Sequence, residues 1–150
     1  MSSFTKDIVI AAPVEAVWSV LGDIGTIADW NPGVRKSYLV GDDTGLGSRR
    51  RCELGAKMYL DEEVVEWEAL RRLTMRITAT NLPFKTADIR FTLDPVDGGT
   101  RVAVSPVYSL KFGPLGALMD RLMVRRSYAK GMEDLLIGLK SAVEGGGGRH

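Results

Sequence analysis

The stretch GPLGALMDRLMVRRSYAKGMEDLLIGLKSAV, residues Gly113 to Val143, decides the fold class of this chain. Apolar residues recur in it at steps of three and four, the period of an amphipathic α-helix. The apolar stripe consists of Leu115, Leu118, Met119, Leu122, Ala129, Met132, Leu136, Leu139 and Val143. Pro114 suits the first turn, and four consecutive glycines from Gly145 follow the stripe. The pattern predicts one helix roughly 45 Å long at ~1.5 Å per residue, packed against a sheet.

Between Val34 and Leu110 the period of the sequence changes to two. The clearest alternation places Ala87, Ile89, Phe91 and Leu93 on one face and charged or hydroxyl residues on the other. Glycine-, asparagine- and proline-containing turns separate five or six such segments. Short connections between successive strands predict an antiparallel meander with one buried face.

The N-terminal part adds one strand and two short helices. Phe4 to Ala11 predicts the first strand, Pro13 opens a helix that Gly22 closes, and Ile24 to Asn31 predicts a second helical segment. The predicted class is therefore α+β, a curved seven-stranded antiparallel sheet around one long C-terminal helix, the helix-grip arrangement. We expect one domain over residues 1–144 and a flexible glycine-rich tail over 145–150.

Composition excludes several functional classes. The chain of 150 residues has a net charge of +1 and no basic run interleaved with aromatic residues, so we expect no nucleic-acid partner. No apolar run reaches the ~18 residues that a membrane-spanning helix requires. We therefore expect no integral membrane association. The single cysteine excludes an intrachain disulfide, and no signal-peptide pattern is visible, so a cytoplasmic location is expected.

The single histidine limits the possible chemistry. It is His150, in the glycine-rich tail, so neither a histidine-dependent triad nor an imidazole metal site is predicted. No phosphate-binding glycine motif is present, and we expect no metal and no cofactor. A curved sheet touches a single helix mainly along one line. An interior cavity with its mouth near the short helices and hairpin tips is therefore expected.

Several segments resemble the START-like superfamily, which includes the birch-pollen-allergen fold, plant hormone receptors and polyketide cyclase/dehydrase proteins. The opening IAAPVEAVW of residues 10–18, followed by DWNP of residues 29–32, is similar to the start of that fold. Val65-Glu66-Trp67 with Arg71-Arg72-Leu73 resembles its central hairpin. Phe112 to Arg126 resembles the final helix of bacterial polyketide-cyclase-like members. The similarity extends over residues 4–143.

The resemblance implies a helix-grip fold around an elongated, mostly apolar pocket. Family members bind lipids, sterols, plant hormones or aromatic polyketides. Three functions are therefore considered: a carrier or sensor for a small hydrophobic molecule, a polyketide cyclase/dehydrase without metal, and a protein-interaction module of the co-chaperone-activator kind. The first is favoured, and any protein partner is unknown.

Arg50 is the leading candidate for a polar anchor. On the third strand Arg50, Cys52 and Leu54 share one face, and the register with Cys52 and Leu54 inside directs Arg50 toward the cavity mouth. An arginine there can bind a ligand carboxylate, enolate or carbonyl, whereas the alternative is an arginine that bends out to water. Cys52 is expected to be a small buried apolar residue, since no base is available to activate it.

The fourth strand permits two registers. One face carries Tyr59, Asp61, Glu63, Val65 and Trp67, and the other Met58, Leu60, Glu62, Val64 and Glu66. The resemblance favours the first set inside. Glu63 would then be a buried general acid or base with a raised pKa, and otherwise it is a solvated strand glutamate.

The remaining candidates are pocket walls. Tyr59 and Tyr108 are possible hydrogen-bond donors to a ligand carbonyl, or wall residues whose hydroxyls are satisfied elsewhere. Catalytic roles are considered only for Arg50, Glu63 and Tyr59. Besides Arg50, Tyr59, Glu63 and Tyr108, the residues expected to line the pocket are Trp30, Cys52, Trp67, Met75, Phe91, Leu118 and Leu122.

Overall fold

The computed structural model describes residues 1–146 and has the expected helix-grip architecture. Within that range the strands are β1 (Ser2–Ser3), β2 (Lys6–Ile10), β3 (Lys36–Val40), β4 (Arg49–Gly55), β5 (Met58–Glu68), β6 (Arg72–Thr80), β7 (Phe84–Val96) and β8 (Gly99–Leu110). The helices are α1 (Val14–Leu21), a 3₁₀ helix (Ile24–Asp29), α2 (Gly113–Met119), a π-helical turn (Asp120–Val124) and α3 (Arg125–Gly146).

The strands form one antiparallel sheet in the order β1-β8-β7-β6-β5-β4-β3, and β2 also pairs with β8. A two-residue strand that the sequence does not predict, β1, precedes the predicted first strand, and β1 and β2 pair with different parts of β8. The sheet therefore has eight strands within residues 1–146, where the sequence predicts seven. The meander from β3 to β8 is confirmed.

The inner face of the sheet and α3 form the hydrophobic core. The predicted alternation on β7 is confirmed, since Ala87, Ile89, Phe91 and Leu93 are all buried. Met132, Leu135, Leu136, Leu139 and Val143 of α3 pack against this face. The outer face is polar and carries ion pairs between neighbouring strands, such as Arg76 with Asp88. One apolar face and one wet face are what the period of two dictates.

Helix α1 closes one end of the core. Pro13 precedes its first turn and Glu15 lies in that turn, where a carboxylate is favourable. Trp18 is buried and packs edge to face against Trp67, with ring centroids 5.0 Å apart. The 3₁₀ helix continues from α1 and contacts β3 and β4.

The C-terminal helix differs from the predicted uniform stripe. A π-helical turn over Asp120–Val124 joins α2 to α3 and shifts the phase of the helical faces. The stripe faces the core only after this turn. The predicted placement of Leu118 and Leu122 as pocket walls is therefore wrong, since their side chains are 50% and 67% exposed.

Helix α3 extends to Gly146, past the predicted end at Val143. The predicted tail over residues 145–150 therefore begins inside α3. Residues 147–150, including His150, lie outside the described residues.

The register of β5 corrects the favoured assignment for Glu63. Glu62 and Val64 face the core, whereas Glu63 pairs with Arg76 on the wet face. Val64 pairs with Met75 and Glu66 with Thr74, so Val65 is an extra residue that forms a β-bulge. The bulge reverses the alternation. Trp67 therefore points inward although it is out of phase with Glu62.

Candidate functional site

A buried ion pair between β4 and β5 is the centre of the candidate site. Arg50 and Glu62 face the interior from adjacent strands, and their side chains are 7% and 2% exposed. Arg50 Nε donates a hydrogen bond to Glu62 Oε1 at 2.9 Å. The predicted inward orientation of Arg50 is confirmed, and the alternative of an arginine bent out to water is not what the structure shows.

The ion pair is tied to its surroundings by two further contacts. Arg50 Nη1 donates to the backbone carbonyl of Ile24, the first residue of the 3₁₀ helix, at 2.9 Å. The thiol of Cys52 donates to Glu62 Oε1 at 3.5 Å. One guanidinium therefore links the inner face of the sheet to the 3₁₀ helix and fixes the position of both.

The electrostatics of the cluster follow from burial and charge. Burial disfavours the charged form of Arg50, but the attraction of the Glu62 carboxylate prevails and the pKa of Arg50 is raised. Burial is also the main reason that the pKa of the Cys52 thiol is raised to about 12. Cys52 is therefore a neutral thiol at physiological pH, in agreement with its expected role as a small buried residue.

An open groove lies at the end of the 3₁₀ helix where Arg50 binds. Its volume is about 460 Å³, within the range of small-molecule sites. Its lining comes from the start of the 3₁₀ helix, the β3–β4 loop and Trp67, and comprises Gly22, Asp23, Ile24, Leu39, Asp43, Thr44, Gly45, Leu46, Ser48 and Trp67. We call this surface the mouth groove. Ile24 belongs both to its lining and to the hydrogen bond from Arg50.

Trp30 supplies a second buried polar atom near the same helix. Its side chain is buried at the C-terminal end of the 3₁₀ helix. The indole N–H has no hydrogen-bond acceptor among the described residues. Buried donors are nearly always paired, so this donor is available to an acceptor inside the protein. The expected wall residues Met75 and Phe91 are buried on the inner face of the sheet.

The two predicted tyrosines have different surroundings. Tyr59 lies on the outer face, where the guanidinium of Arg51 stacks over its ring at 4.3 Å from the centroid. Its predicted contact with an interior ligand is wrong because β5 has the opposite register here. Tyr108 is fully buried, and its hydroxyl donates to Asp120 Oδ1.

Asp120 holds the π-helical turn against the sheet. Ser2 Oγ donates to its second oxygen, Oδ2, at 2.7 Å. Burial, together with the carboxylate of Asp120, raises the pKa of Tyr108 to about 12. The hydroxyl of Tyr108 therefore has its hydrogen-bond partner within the protein. Of the two roles considered for Tyr108, this is the wall residue whose hydroxyl is satisfied elsewhere.

Two features of the interior were not predicted from the sequence: Glu62 as the acidic partner of Arg50, and the aromatic cluster around Tyr128. Phe4, Phe84, Tyr108 and Tyr128 pack with ring centroids 5.1 to 6.5 Å apart. Burial, followed by the charge of Glu62, raises the pKa of Tyr128. The sequence does contain a sign of Glu62. Under strict alternation Glu62 and Val64 share one face of β5 and Trp67 lies on the other. Both faces can point inward only if a bulge lies between Val64 and Trp67.

The described residues contain no group of three or more histidine, cysteine or acidic side chains that could hold a metal ion. No helix among residues 1–146 is long and apolar enough to cross a membrane. The polar side chains at this site carry the guanidinium, carboxylate, thiol and indole groups described above.

Solved structures with the same fold cover nearly the whole chain. The TTHA0849 protein of Thermus thermophilus is 24% identical, with a TM-score of 0.81 over 97% of this chain and 99% of that one. An aromatase/cyclase named Zhui from a Streptomyces species is 15% identical, with a TM-score of 0.83 over 95% and 93%. A START superfamily protein from Mycobacterium smegmatis is 18% identical, with a TM-score of 0.78 over 95% and 97%. At these identities the likeness shows the fold.

No curated protein sequence matches this chain. The sequence model of one family, described as polyketide cyclase / dehydrase and lipid transport, matches residues 1–144. That match agrees with the resemblance of the individual segments and extends over the whole predicted domain. The chain belongs to the polyketide cyclase / dehydrase and lipid transport family.

Proposed function

We propose that this protein is a cytoplasmic carrier or sensor that binds a small hydrophobic molecule with one polar end. The observation that carries the proposal is the buried Arg50–Glu62 ion pair, whose guanidinium binds the carbonyl of Ile24, a lining residue of the mouth groove. The apolar body of the ligand would lie in the mouth groove against Leu39, Leu46 and Trp67, and its polar end would reach past Ile24 to the guanidinium.

A buried ion pair is weak evidence of a stabilising role. Removing two charges from water costs several kcal/mol per ion, and apolar residues of similar volume are often as stable. The Arg50–Glu62 pair therefore calls for a function other than stability. A guanidinium has five N–H donors, of which the contacts to Glu62 and Ile24 engage two.

The remaining donors of Arg50 suit a carboxylate or carbonyl oxygen. The indole N–H of Trp30 provides another donor at the opposite end of the same 3₁₀ helix. A six-residue 3₁₀ helix is about 12 Å long at ~2.0 Å per residue. Two donors separated on that scale suit a molecule of several rings or a short acyl chain. The family description and the name of the aromatase/cyclase neighbour support ligands of this kind.

A cyclase/dehydrase activity is the second candidate, and Glu62 is the observation that favours it. The carboxylate lies beside Arg50, and both of its hydrogen bonds from the described residues end on Oε1. Oε2 is thus available as a general base toward a proton α to a ligand carbonyl, while Arg50 stabilises the resulting enolate oxygen. The enolate carbon would attack a second carbonyl carbon of the bound polyketide. That attack would close the ring, the proton taken up by Glu62 would pass to the new alkoxide, and loss of the resulting hydroxyl with an adjacent proton as water would form the double bond.

Ligand binding can be tested with cis-parinaric acid, a fluorescent fatty acid with a carboxylate end. The inner-face variant Arg50→Met/Glu62→Leu removes the buried pair. The control Arg51→Met/Asp61→Leu removes an outer-face pair from the next positions of the same two strands, where Arg51 Nε lies 2.5 Å from Asp61 Oδ1. Because a hydrogen bond to a charged group contributes about 1.5–3 kcal/mol, we expect the inner variant to bind at least about tenfold more weakly.

The outer-face control is expected to bind like the wild type. Absence of saturable binding to the wild type, or equal affinity of all three proteins, would contradict the proposal. Turnover is assayed separately by incubating the protein with a poly-β-ketone thioester and following loss of water by mass spectrometry. Wild-type turnover that Glu62→Gln abolishes, with binding retained, would favour the cyclase/dehydrase.

A further inference from the structure

Helix α2 and the π-helical turn present an exposed apolar surface. Five large side chains, Phe112, Leu115, Leu118, Leu122 and Met123, are between 50% and 67% exposed. We call these five residues the apolar ridge. Large apolar side chains exposed singly are common, but five within one twelve-residue segment form a contiguous patch of the kind that marks an interaction site.

The backbone holds the ridge outward. On the opposite side of α2, Gly116 and Asp120 are buried four residues apart and therefore share the face that packs on the protein. A Cβ on Gly116 would lie 2.2 Å from the carbonyl oxygen of Lys111, so only glycine permits this approach. Asp120 is fixed by its hydrogen bonds from Tyr108 and Ser2. With that face anchored, the leucines of the ridge must point away from the sheet.

Phe112 is held in an unusual conformation at the start of the ridge. Its φ is +78°, in the left-handed region that bulky residues rarely adopt, and its ring is 62% exposed. Strained positions of this kind persist only where the surrounding structure enforces them, and they concentrate at binding surfaces. The ridge is thus a feature of the fold rather than a loosely packed end.

Cations surround the ridge. Lys111, Arg121, Arg125 and Arg126 lie within or beside it, whereas the only acid between residues 111 and 126 is the buried Asp120. The segment therefore holds four of the 20 basic residues of a nearly neutral chain and one of its 19 acids. Within residues 1–146 none of these four cations forms a salt bridge.

From the exposed apolar side chains and the neighbouring cations that form no salt bridge within residues 1–146, we propose that the apolar ridge docks the protein on the surface of an anionic lipid bilayer. Apolar side chains that enter the headgroup region together with basic side chains that meet anionic lipids are the features of an interfacial helix. The docking is peripheral, since the chain inserts side chains and not a spanning helix.

A second copy of the chain is the less favourable occupant. A two-fold interface places the same patch of both copies face to face. That arrangement would bring the arginines of one ridge against those of the other, with no exposed acid from the segment to neutralise them. An anionic bilayer satisfies both the apolar and the charged parts of the surface. The proposal is independent of any ligand bound at the mouth groove.

The test is co-sedimentation of the full chain with vesicles of phosphatidylcholine alone, or with about one-third phosphatidylglycerol. We expect binding to the anionic vesicles that weakens as salt is added. The variant Leu122→Ser/Met123→Ser should reduce partitioning at least about tenfold, because two large apolar side chains no longer enter the interface. The control Ile137→Ser removes a side chain that is 56% exposed on α3, away from the cations, and should bind like the wild type.

The charge requirement is tested separately with Arg121→Gln/Arg125→Gln. Each basic residue near an anionic surface contributes about fivefold to binding, so this variant should lose about 25-fold on anionic vesicles. Failure of the wild type to sediment with anionic vesicles overturns the proposal. So does a loss as large for Ile137→Ser as for Leu122→Ser/Met123→Ser. A dimer in light scattering that Leu122→Ser/Met123→Ser abolishes, without vesicle binding, assigns the ridge to a second copy instead.

Discussion

Replacing Glu62 by glutamine should destabilise the protein more than any comparable change on the outer face of the sheet. The carboxylate is 2% exposed and accepts from Arg50 Nε at 2.9 Å and from the Cys52 thiol at 3.5 Å. Glutamine keeps the shape of the side chain but removes the counter-charge of a buried guanidinium. Breaking a buried ion pair from one side costs about 3–5 kcal/mol.

The assay is equilibrium unfolding in urea, followed by tryptophan fluorescence. With a slope of about 2 kcal/mol per molar urea, the expected loss moves the midpoint down by about 2 M. An unchanged slope would show that the loss is one of stability and not of cooperativity.

Two further variants distinguish the ion pair from general damage to the sheet. Asp61→Asn removes the carboxylate of the half-exposed pair with Arg51 at the neighbouring position, and its effect should be much smaller. Arg50→Met/Glu62→Leu should regain most of the stability lost in Glu62→Gln, because no unpaired charge remains buried. The reasoning fails if Glu62→Gln costs no more than Asp61→Asn, or if the double variant is as unstable as the single one.

Three other predictions follow from the core. Cys52 is 1% exposed, and the pKa of its thiol is raised to about 12. A thiol reagent should therefore modify Cys52 only under unfolding conditions. Rapid labelling of the native protein would contradict its buried position. The pKa of Tyr108 is raised to about 12 while an unfolded tyrosine titrates near ~10. Between about pH 10 and 12 the folded state therefore binds more protons than the unfolded state, so the free energy of unfolding should fall as pH rises, by about 1.4 kcal/mol per pH unit at most. Tyr108→Phe should make this fall with pH less steep. An equally steep fall in the variant would refute the raised pKa of Tyr108. A Cβ on Gly138 would lie 2.0 Å from the carbonyl oxygen of Trp30, whereas nothing lies within 4 Å of one on Gly131. Gly138→Ala should therefore lower the free energy of unfolding by about 1–3 kcal/mol and Gly131→Ala raise it by about 1 kcal/mol, and equal effects in urea unfolding would contradict the helix packing.

The period of the sequence is sufficient to predict the fold because each strand buries one face. Ala87, Ile89, Phe91 and Leu93 alternate without interruption, and their positions follow directly from the pleat of a strand. The same reasoning places Arg50 and Cys52 inside, since β4 has a single consistent register across these two residues.

Prediction fails where one residue is added to a regular element. The bulge at Val65 reverses the faces of β5, so a rule of strict alternation cannot place both Glu63 and Trp67 correctly. The π-helical turn likewise changes which face of the C-terminal helix points to the core. A prediction that assumes one uniform helix therefore places Leu118 and Leu122 in the core. Both errors are changes of phase, which depend on pairing with distant residues such as Met75 or Tyr108.

Ligand binding is tested most directly by native mass spectrometry of the purified protein, with organic extraction of whatever it retains. We expect a retained mass that is released by solvent and identified as a hydrophobic molecule with a carboxylate or carbonyl group. We also expect that Arg50→Met/Glu62→Leu retains less of that molecule than Arg51→Met/Asp61→Leu does. A wild-type protein that carries nothing and also fails to bind cis-parinaric acid would contradict the proposed ligand site.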